Sequence, residues 1–332
     1  MNDVQRFESL KKTIETDPTN FQARREIAMM CLDMGFDSMA LKQLLYLSNT
    51  FPNDANLYFN IGICWEKLKQ FKFALEAYKK AVELKEDEPD FIYNLALAYE
   101  NLGQDDEALM QFKRVVCLEA DDSNSFFCIG CILAKKGDIE NAIKCFKKAI
   151  EYNFGDYFAH FHLGNMYHKI GEIDKAVEEY KKVVQLSGDY SWAYFNLGQI
   201  FYEKGDIENA VIMLNLTIEK NSKDKEAYKL LIQLYIKMGD FETAASVLDE
   251  MKENLAESGD FFFLYSKIYE QKGDLKGYRK CLEMALKNEF SLSFDKFAVM
   301  KELRDCSEIN EEPENPEIMP EEQPQGGQDG AN

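Results

Sequence analysis

The sequence predicts an all-α solenoid of stacked helix-turn-helix repeats. Three observations lead to this fold class: a period of 34 residues, a glycine that recurs once in each period, and apolar side chains with helical spacing on both sides of that glycine. Eight blocks of 34 run from 21 to 292 without insertion or deletion. A fixed period of roughly 20 to 50 residues is the signature of repeat architectures.

Each block contains the pattern of two helices. Apolar residues at positions 4, 7, 8 and 11, such as Tyr194, Leu197 and Phe201, follow the spacing of a first helix. A second stripe at positions 20, 24 and 27 predicts a second helix. Position 15 lies between them and is glycine in all blocks but one, where Lys69 stands. A helix can end there in the left-handed conformation without a side-chain penalty.

Small residues mark the contact between the two helices. Position 20 is alanine in seven blocks and position 8 is glycine or alanine in six, which permits close approach, while larger residues at 7, 11 and 24 fill the space beside it. Ile232 and Tyr278 break this rule and predict altered packing toward the C-terminal end. Aspartates that follow four of the position-15 glycines are predicted N-caps of the second helix: Asp138, Asp206, Asp240 and Asp274.

This pattern resembles the tetratricopeptide repeat family. The block from 191 to 224 begins Ser-Trp-Ala-Tyr-Phe-Asn-Leu-Gly, and the block before it carries family residues at the expected places: Leu163, Gly164, Tyr167, Gly171, Ala176 and Tyr180. The family's proline at position 32 occurs only at Pro52. The resemblance covers 272 of 332 residues and implies a right-handed superhelix whose first helices line a concave groove.

The ends of the chain differ from the repeats. Residues 1–20 are predicted to form an N-terminal half repeat that caps the array of residues 21–292, and residues 293–306 a C-terminal capping helix. Residues 307–332 contain eight acidic residues, four of the seven prolines, and no Lys or Arg, so we expect a disordered acidic tail. A more specific hypothesis is that the tail folds back on the partner-binding surface as an acidic mimic.

Charge and composition restrict the partners. The net charge of −20 repels phosphate backbones and anionic lipids, so the partner is predicted to be a protein or peptide of neutral or basic character, with no nucleic acid. No signal peptide or stretch of about 18 consecutive apolar residues is present, which predicts a cytoplasmic protein without membrane insertion. The eight cysteines lack the dense spacing of a disulfide scaffold and are expected to be free thiols.

The candidate binding residues lie on the first helices. At roughly 100° per residue, positions 2, 5, 6 and 9 face away from the core stripe, and the resemblance implies that they face the groove. Position 5 is aromatic in six of eight blocks. The candidate residues are Phe59, Asn60, Ile63, Tyr93, Asn94, Leu97, Phe127, Cys131, Phe158, Phe161, Asn165, Trp192, Phe195 and Asn196. This strip predicts a groove for an apolar or aromatic segment; alternatively, the rings pack along the wall and bind nothing.

Asparagines at position 6, namely Asn60, Asn94 and Asn196, carry amides that pair with the backbone of an extended peptide. They resemble a partial form of the asparagine ladder in O-linked N-acetylglucosamine transferases, although the sequence contains no transferase domain. The family's carboxylate clamp for chaperone tails matches at two of five positions, Asn165 and Asn196, so binding of such tails is disfavoured.

Catalytic and metal-binding patterns are weak. Cys128 and Cys131 form a C-x-x-C within a first helix, and His162 follows in the next block. A soft-metal site is compatible with three such ligands, but small groove residues are the favoured interpretation. No phosphate loop, dinucleotide fingerprint, nucleophile elbow or H-E-x-x-H occurs. We expect no cofactor, no metal and no enzymatic activity.

The sequence therefore predicts a scaffold for protein-protein interaction that binds a segment of its partner in the groove. One alternative is a regulatory or targeting subunit of a separate enzyme or secretion complex, for example one associated with a glycosyltransferase. A second alternative is a structural spacer. The repeat specifies a shape, and the partner depends on the surface that the shape presents.

Overall fold

The computed structural model describes residues 3–309 of the 332. Backbone contacts divide the chain into two units, Met1–Ala193 and Tyr194–Asn332, which we describe separately. No β-strand occurs in the described range. Of the tail predicted over 307–332, residues 310–332 lie outside it.

Helices account for most of both units. Those of unit 1 are α1 (Asp3–Thr16), α2 (Phe21–Asp33), α3 (Asp37–Thr50), α4 (Ala55–Lys67), α5 (Phe71–Leu84), α6 (Pro89–Asn101), α7 (Asp105–Leu118), α8 (Ser123–Lys136), α9 (Ile139–Tyr152), α10 (Tyr157–Lys169) and α11 (Ile173–Leu186). The division between the units falls within α12 (Ser191–Glu203). Unit 2 continues with α13 (Ile207–Lys220), α14 (Lys225–Met238), α15 (Phe241–Asn254), α16 (Gly259–Gln271), α17 (Leu275–Lys287), a 3₁₀ turn (Glu289–Ser291) and α18 (Lys296–Ile309).

The first helix of every block begins at position 1 of that block. Each first helix packs against the second helix that follows it, as α4 does against α5 and α16 against α17. Each second helix in turn contacts the next first helix within its unit, as α5 contacts α6. Helix α1 packs against α2, and α18 packs against α17. The predicted all-α repeat fold is confirmed.

The turn between the helices has the predicted geometry. All seven glycines at position 15 have φ between 71° and 83°, and Lys69 in the second repeat has φ 60°. The aspartates that follow four of these glycines accept hydrogen bonds from the backbone N–H three residues later, as Asp274 does from Gly277 at 2.9 Å. The N-cap prediction is therefore confirmed at these four residues.

The helices of a repeat meet where position 8 faces position 24. A Cβ atom built on Gly130 would lie 2.7 Å from the ring of Phe146, and one built on Gly164 would lie 2.8 Å from the ring of Tyr180. Both rings are completely buried. Glycine at position 8 thus provides the space that a buried aromatic ring at position 24 occupies.

None of the helices in the described part of the chain combines the length and the apolar character that crossing a membrane requires.

We predict that Lys69→Gly stabilises the protein. A side chain in the left-handed region costs about 1 kcal/mol, and glycine removes that cost. The free energy of unfolding, measured by urea denaturation, should rise by about 0.5–1 kcal/mol. The matched control is Lys72→Gly in the first turn of α5, which should lower that free energy by at most about 1 kcal/mol. A destabilised Lys69→Gly variant would contradict the account of the turn.

We also predict that Gly130→Ala destabilises unit 1, because the new methyl group overlaps the ring of Phe146. Overpacking of this kind costs about 1–3 kcal/mol. In Gly155→Ala, the nearest atom to the new Cβ lies at an ordinary 3.6 Å, so this control should change stability by less than about 0.5 kcal/mol. Equal stability of the two variants in thermal unfolding would argue against the contact.

Candidate protein-binding face

We use the term first-helix face for the residues at positions 2, 5, 6 and 9 of the first helices in unit 1. Neighbouring first helices contact each other directly, as α8 and α10 do. None of the fourteen residues predicted from the sequence is buried. Twelve are half-buried, while Phe158 is 44% exposed and Trp192 54% exposed. Two of the twelve, Phe195 and Asn196, lie in unit 2.

The position-5 rings of unit 1 contact the core on one side. In repeats two to five, each ring lies beside the ring at position 24 of its own repeat. The pairs and their centroid distances are Phe59 with Tyr78 at 5.8 Å, Tyr93 with Phe112 at 5.4 Å, Phe127 with Phe146 at 5.9 Å and Phe161 with Tyr180 at 5.8 Å. The position-24 rings are fully buried, whereas the position-5 rings remain half-buried. The sideways packing that the sequence left as an alternative therefore coexists with accessible ring surface.

Contacts between repeats join these rings into a row. The hydroxyl of Tyr93 lies 3.9 Å from the Cys128 sulfur in the next repeat. The ring of Phe127 meets that of His162 edge-on at 5.4 Å, and His162 also lies 5.8 Å from Phe161. The row is thus continuous from the third repeat to the fifth.

An aromatic cluster extends the row at the fifth repeat. Tyr190 contacts Phe161 at 5.1 Å, Phe158 at 5.7 Å and Tyr157 at 5.3 Å. Tyr157 and Tyr190 were not predicted as site residues, since they stand at positions 1 and 34, outside the face that helical spacing defines. Their place at the repeat boundary, close in sequence to an aromatic residue at position 2, is the feature from which they could have been predicted.

Some of the predicted asparagines already make hydrogen bonds within unit 1 through their side-chain amides. Asn94 donates to the backbone oxygen of Asp90 at 2.7 Å, and the oxygen of Asn165 accepts a 2.7 Å hydrogen bond from the Tyr180 hydroxyl. The amide of Asn60 lies 4.0 Å from the sulfur of Met29. Asn94 therefore already uses the amide N–H that backbone recognition in an asparagine ladder would require.

The two cysteines of the C-x-x-C motif are protonated thiols near neutral pH. Burial raises the pKa of Cys128 to about 12 and that of Cys131 to about 12. His162 stacks on the ring of Phe146 at 5.6 Å. Within residues 3–309, no three His, Cys, Asp or Glu side chains are grouped so as to hold a metal ion. The motif thus contributes small apolar surface to the face.

Ion pairs neutralise charges beside the face. Arg25 pairs at 2.8 Å with Asp54, the last residue of its own repeat. Two lysines at position 13 pair with acids of the preceding repeat, Lys67 with Asp37 at 3.6 Å and Lys135 with Asp105 at 2.7 Å. Because the cations are substantially exposed, each pair contributes little to stability. The pairs leave aromatic and apolar side chains as the distinctive chemistry of the face.

We predict that His162 makes unit 1 sensitive to acid. Burial lowers the pKa of His162 from its ordinary 6.5, because the charged form is disfavoured among the rings. Below pH 6.5 the unfolded chain binds a proton that the folded chain resists, so the free energy of unfolding falls by up to about 1.4 kcal/mol per pH unit. In His162→Phe this contribution should vanish, and the variant should lose less stability than the wild type between pH 7 and pH 5.5 in urea denaturation. Identical pH dependence of the two proteins would contradict the prediction.

Several proteins of known structure are similar to this chain. MamA is 26% identical, and the match covers 50% of this chain and 97% of that one, with a TM-score of 0.47. YrrB, described as a tetratricopeptide repeat protein with an unusual peptide-binding site, is 23% identical over 55% of this chain and 95% of that one, with a TM-score of 0.48. PilF of Pseudomonas aeruginosa is 16% identical over 62% and 94%, with a TM-score of 0.54, which shows a shared fold. No curated protein matches in sequence.

Family models match the repeats directly. Tetratricopeptide repeat models match residues 55–88, 77–110, 130–171, 164–205 and 193–219, and a PPR repeat model matches 226–254. The matches to 55–88 and 193–219 begin at a block start or within two residues of one, and all of the tetratricopeptide matches fall on consecutive helices of the structure. This chain is a member of the tetratricopeptide repeat family.

Proposed function

We propose that the protein is a protein-interaction scaffold that holds a segment of a partner protein against the first-helix face of unit 1. The observation that carries the proposal is the row of position-5 rings, which are anchored on the core yet half-accessible: Phe59, Tyr93, Phe127 and Phe161. Membership of the tetratricopeptide repeat family supports the scaffold role.

Anchoring makes these rings suited to binding. Each is held between its own helix and a buried ring, so little side-chain freedom remains to be lost when a partner covers the exposed side. Aromatic rings bury large areas and pair favourably with other apolar groups. Phe158 and Trp192 add exposed aromatic surface at the fifth repeat and at the start of the sixth.

The partner segment is expected to be apolar or aromatic and neutral or basic in charge. The rings and thiols of the face offer no charge to an acidic ligand, and the nearest cations pair with carboxylates. The net charge of −20 favours approach of a cationic partner over nucleic acid.

A non-catalytic role and a cytoplasmic location belong to the same proposal. The non-catalytic role is supported by the protonated state of the two thiols on the face. The cytoplasmic location is supported by the eight cysteines, all of which are free, because reduced thiols are typical of that compartment.

The test is capture of the partner from native lysate, followed by mass spectrometry. In the triple variant Phe59→Ala/Tyr93→Ala/Phe127→Ala, each truncation removes accessible ring surface and should cost at least about 1 kcal/mol of binding. Together they should weaken capture about 100-fold. Circular dichroism establishes that helicity survives.

The matched control replaces exposed apolar residues on second helices of the same repeats, Phe73→Ala/Met110→Ala. This control should capture the partner as the wild type does. If only the control loses capture, the partner contacts the second helices and not the first-helix face. If neither the wild type nor the variants capture a partner, the protein is a structural spacer.

A further inference from the structure

The segment that leads from the last repeat to the C-terminal helix packs against first helices of unit 2. It comprises residues 288–294, including the 3₁₀ turn, and it contacts first helices α14 and α16. Residues 288–292 are the last positions of the eighth block, and Ser293 and Phe294 lie beyond the repeat period.

Ser293 is held by a polar network on these helices. Its backbone N–H donates to Asp260 Oδ1 at 2.5 Å, and its hydroxyl donates to Asp260 Oδ2 at 2.9 Å. The same hydroxyl accepts from Lys229 Nζ at 2.6 Å. The Asp260 carboxylate is completely buried and also pairs with Lys225 at 2.6 Å. Burial opposes its charge, but the hydrogen bonds from Lys225 and Ser293 hold the pKa of Asp260 below its ordinary value.

Phe294 lies beside a ring at position 5. Its ring centroid is 4.4 Å from that of Phe263, and Lys229 lies 5.3 Å from its centre. Phe263 holds in the eighth repeat the place that Phe59 holds in the second. The contact shows how a position-5 ring in this protein receives an aromatic side chain from a separate segment.

The segment packs closely against Gly259, the first residue of α16. A Cβ atom on Gly259 would lie 2.7 Å from both the Asn288 carbonyl oxygen and the Leu292 Cβ. The backbone N–H of Gly259 donates to the Ser291 hydroxyl at 2.8 Å. Among the eight blocks only the eighth has glycine at position 1, and the segment packs against that glycine.

Beside Phe294 the inner surface of unit 2 remains open. A cavity of about 360 Å³ is bordered by Phe294 and by apolar, amide and charged side chains of the first helices, namely Phe195, Tyr202, Leu230, Gln199, Gln233, Glu203, Glu226 and Lys229. The segment thus occupies one end of a larger surface of mixed chemistry, and residues that flank a longer bound segment have space to continue along it.

We propose that residues 291–294 are an internal ligand: they occupy a docking site for a partner segment in which a serine or threonine is followed directly by an aromatic residue. The partner competes with Ser293 and Phe294 for the clamp formed by Lys229, Asp260 and Phe263. This inference rests on the proposed function, since it assumes that first helices bind partner segments, and it assigns a second such site to unit 2.

The test measures whether the segment binds when it is supplied as a separate peptide. A fluorescein-labelled peptide with the sequence of residues 288–296 is titrated with full-length protein and followed by fluorescence anisotropy. Phe294→Ala weakens the internal occupant, so the peptide should bind this variant about tenfold more tightly than the wild type, as loss of one aromatic pair implies. The control Phe297→Ala removes a ring that is 79% exposed and should behave as the wild type.

Two further reagents make the result decisive. A peptide with alanine in place of Phe294 should bind Phe294→Ala about tenfold more weakly than the native peptide does. The protein variant Ser293→Ala removes only the side-chain hydrogen bonds of the segment, so it can replace Phe294→Ala if that variant loses helicity. The peptide should bind Ser293→Ala with an affinity between those for the wild type and for Phe294→Ala. Two results would overturn the proposal and make the segment a structural cap. In one, the peptide binds the wild type, Phe294→Ala and Ser293→Ala with equal affinity; in the other, it binds none of the three while their helicity is retained.

Other occupants of the site have distinct outcomes. If the wild type is a dimer in light scattering and Phe294→Ala is a monomer, the segment of a second copy occupies the site and the proposal is wrong. The triple variant of unit 1 should bind the peptide as the wild type does. Failure of the peptide test therefore leaves partner capture by unit 1 intact, and failure of capture leaves the peptide test intact.

Discussion

Close approach of the two helices within the repeats of unit 1 supports both the core and the candidate binding face. In the second, fourth and fifth repeats glycine at position 8 leaves room for an aromatic ring at position 24, as Gly164 does for Tyr180. That buried ring in turn supports the position-5 ring, here Phe161, on its inner side. The contact that joins the helices thus also holds the accessible aromatic surface in place, so the core and the candidate binding face share one set of side chains.

The two units use this arrangement differently. Position 24 is aromatic in repeats two to five but leucine in the last three, and position 8 changes from glycine to Ile232 and then Ser266. Position 5 of the seventh repeat is Lys229 rather than an aromatic residue. Unit 1 therefore presents a row of rings, while unit 2 presents a charged clamp beside the ring of Phe263. Faces with different chemistry suit segments of different sequence.

Much of the fold could be predicted because it repeats. The period placed the start of all eight first helices, and one glycine per block placed the turns. The site was harder, since helical spacing identifies which residues share a face but not what their side chains contact. It did not reveal that Asn94 bonds to its own helix or that His162 stacks between rings. Ser293 lay beyond the period altogether, and its contact with Asp260 joins residues 33 apart in sequence.

The most direct test of the central claim, that the first-helix face of unit 1 binds the partner, is site-specific photo-crosslinking. A photoreactive phenylalanine analogue replaces Phe158 on that face or, in a separate protein, Phe73 on a second helix, and both side chains are exposed. The account predicts that the captured partner crosslinks from position 158 and not from position 73. Crosslinking from position 73 alone would contradict it.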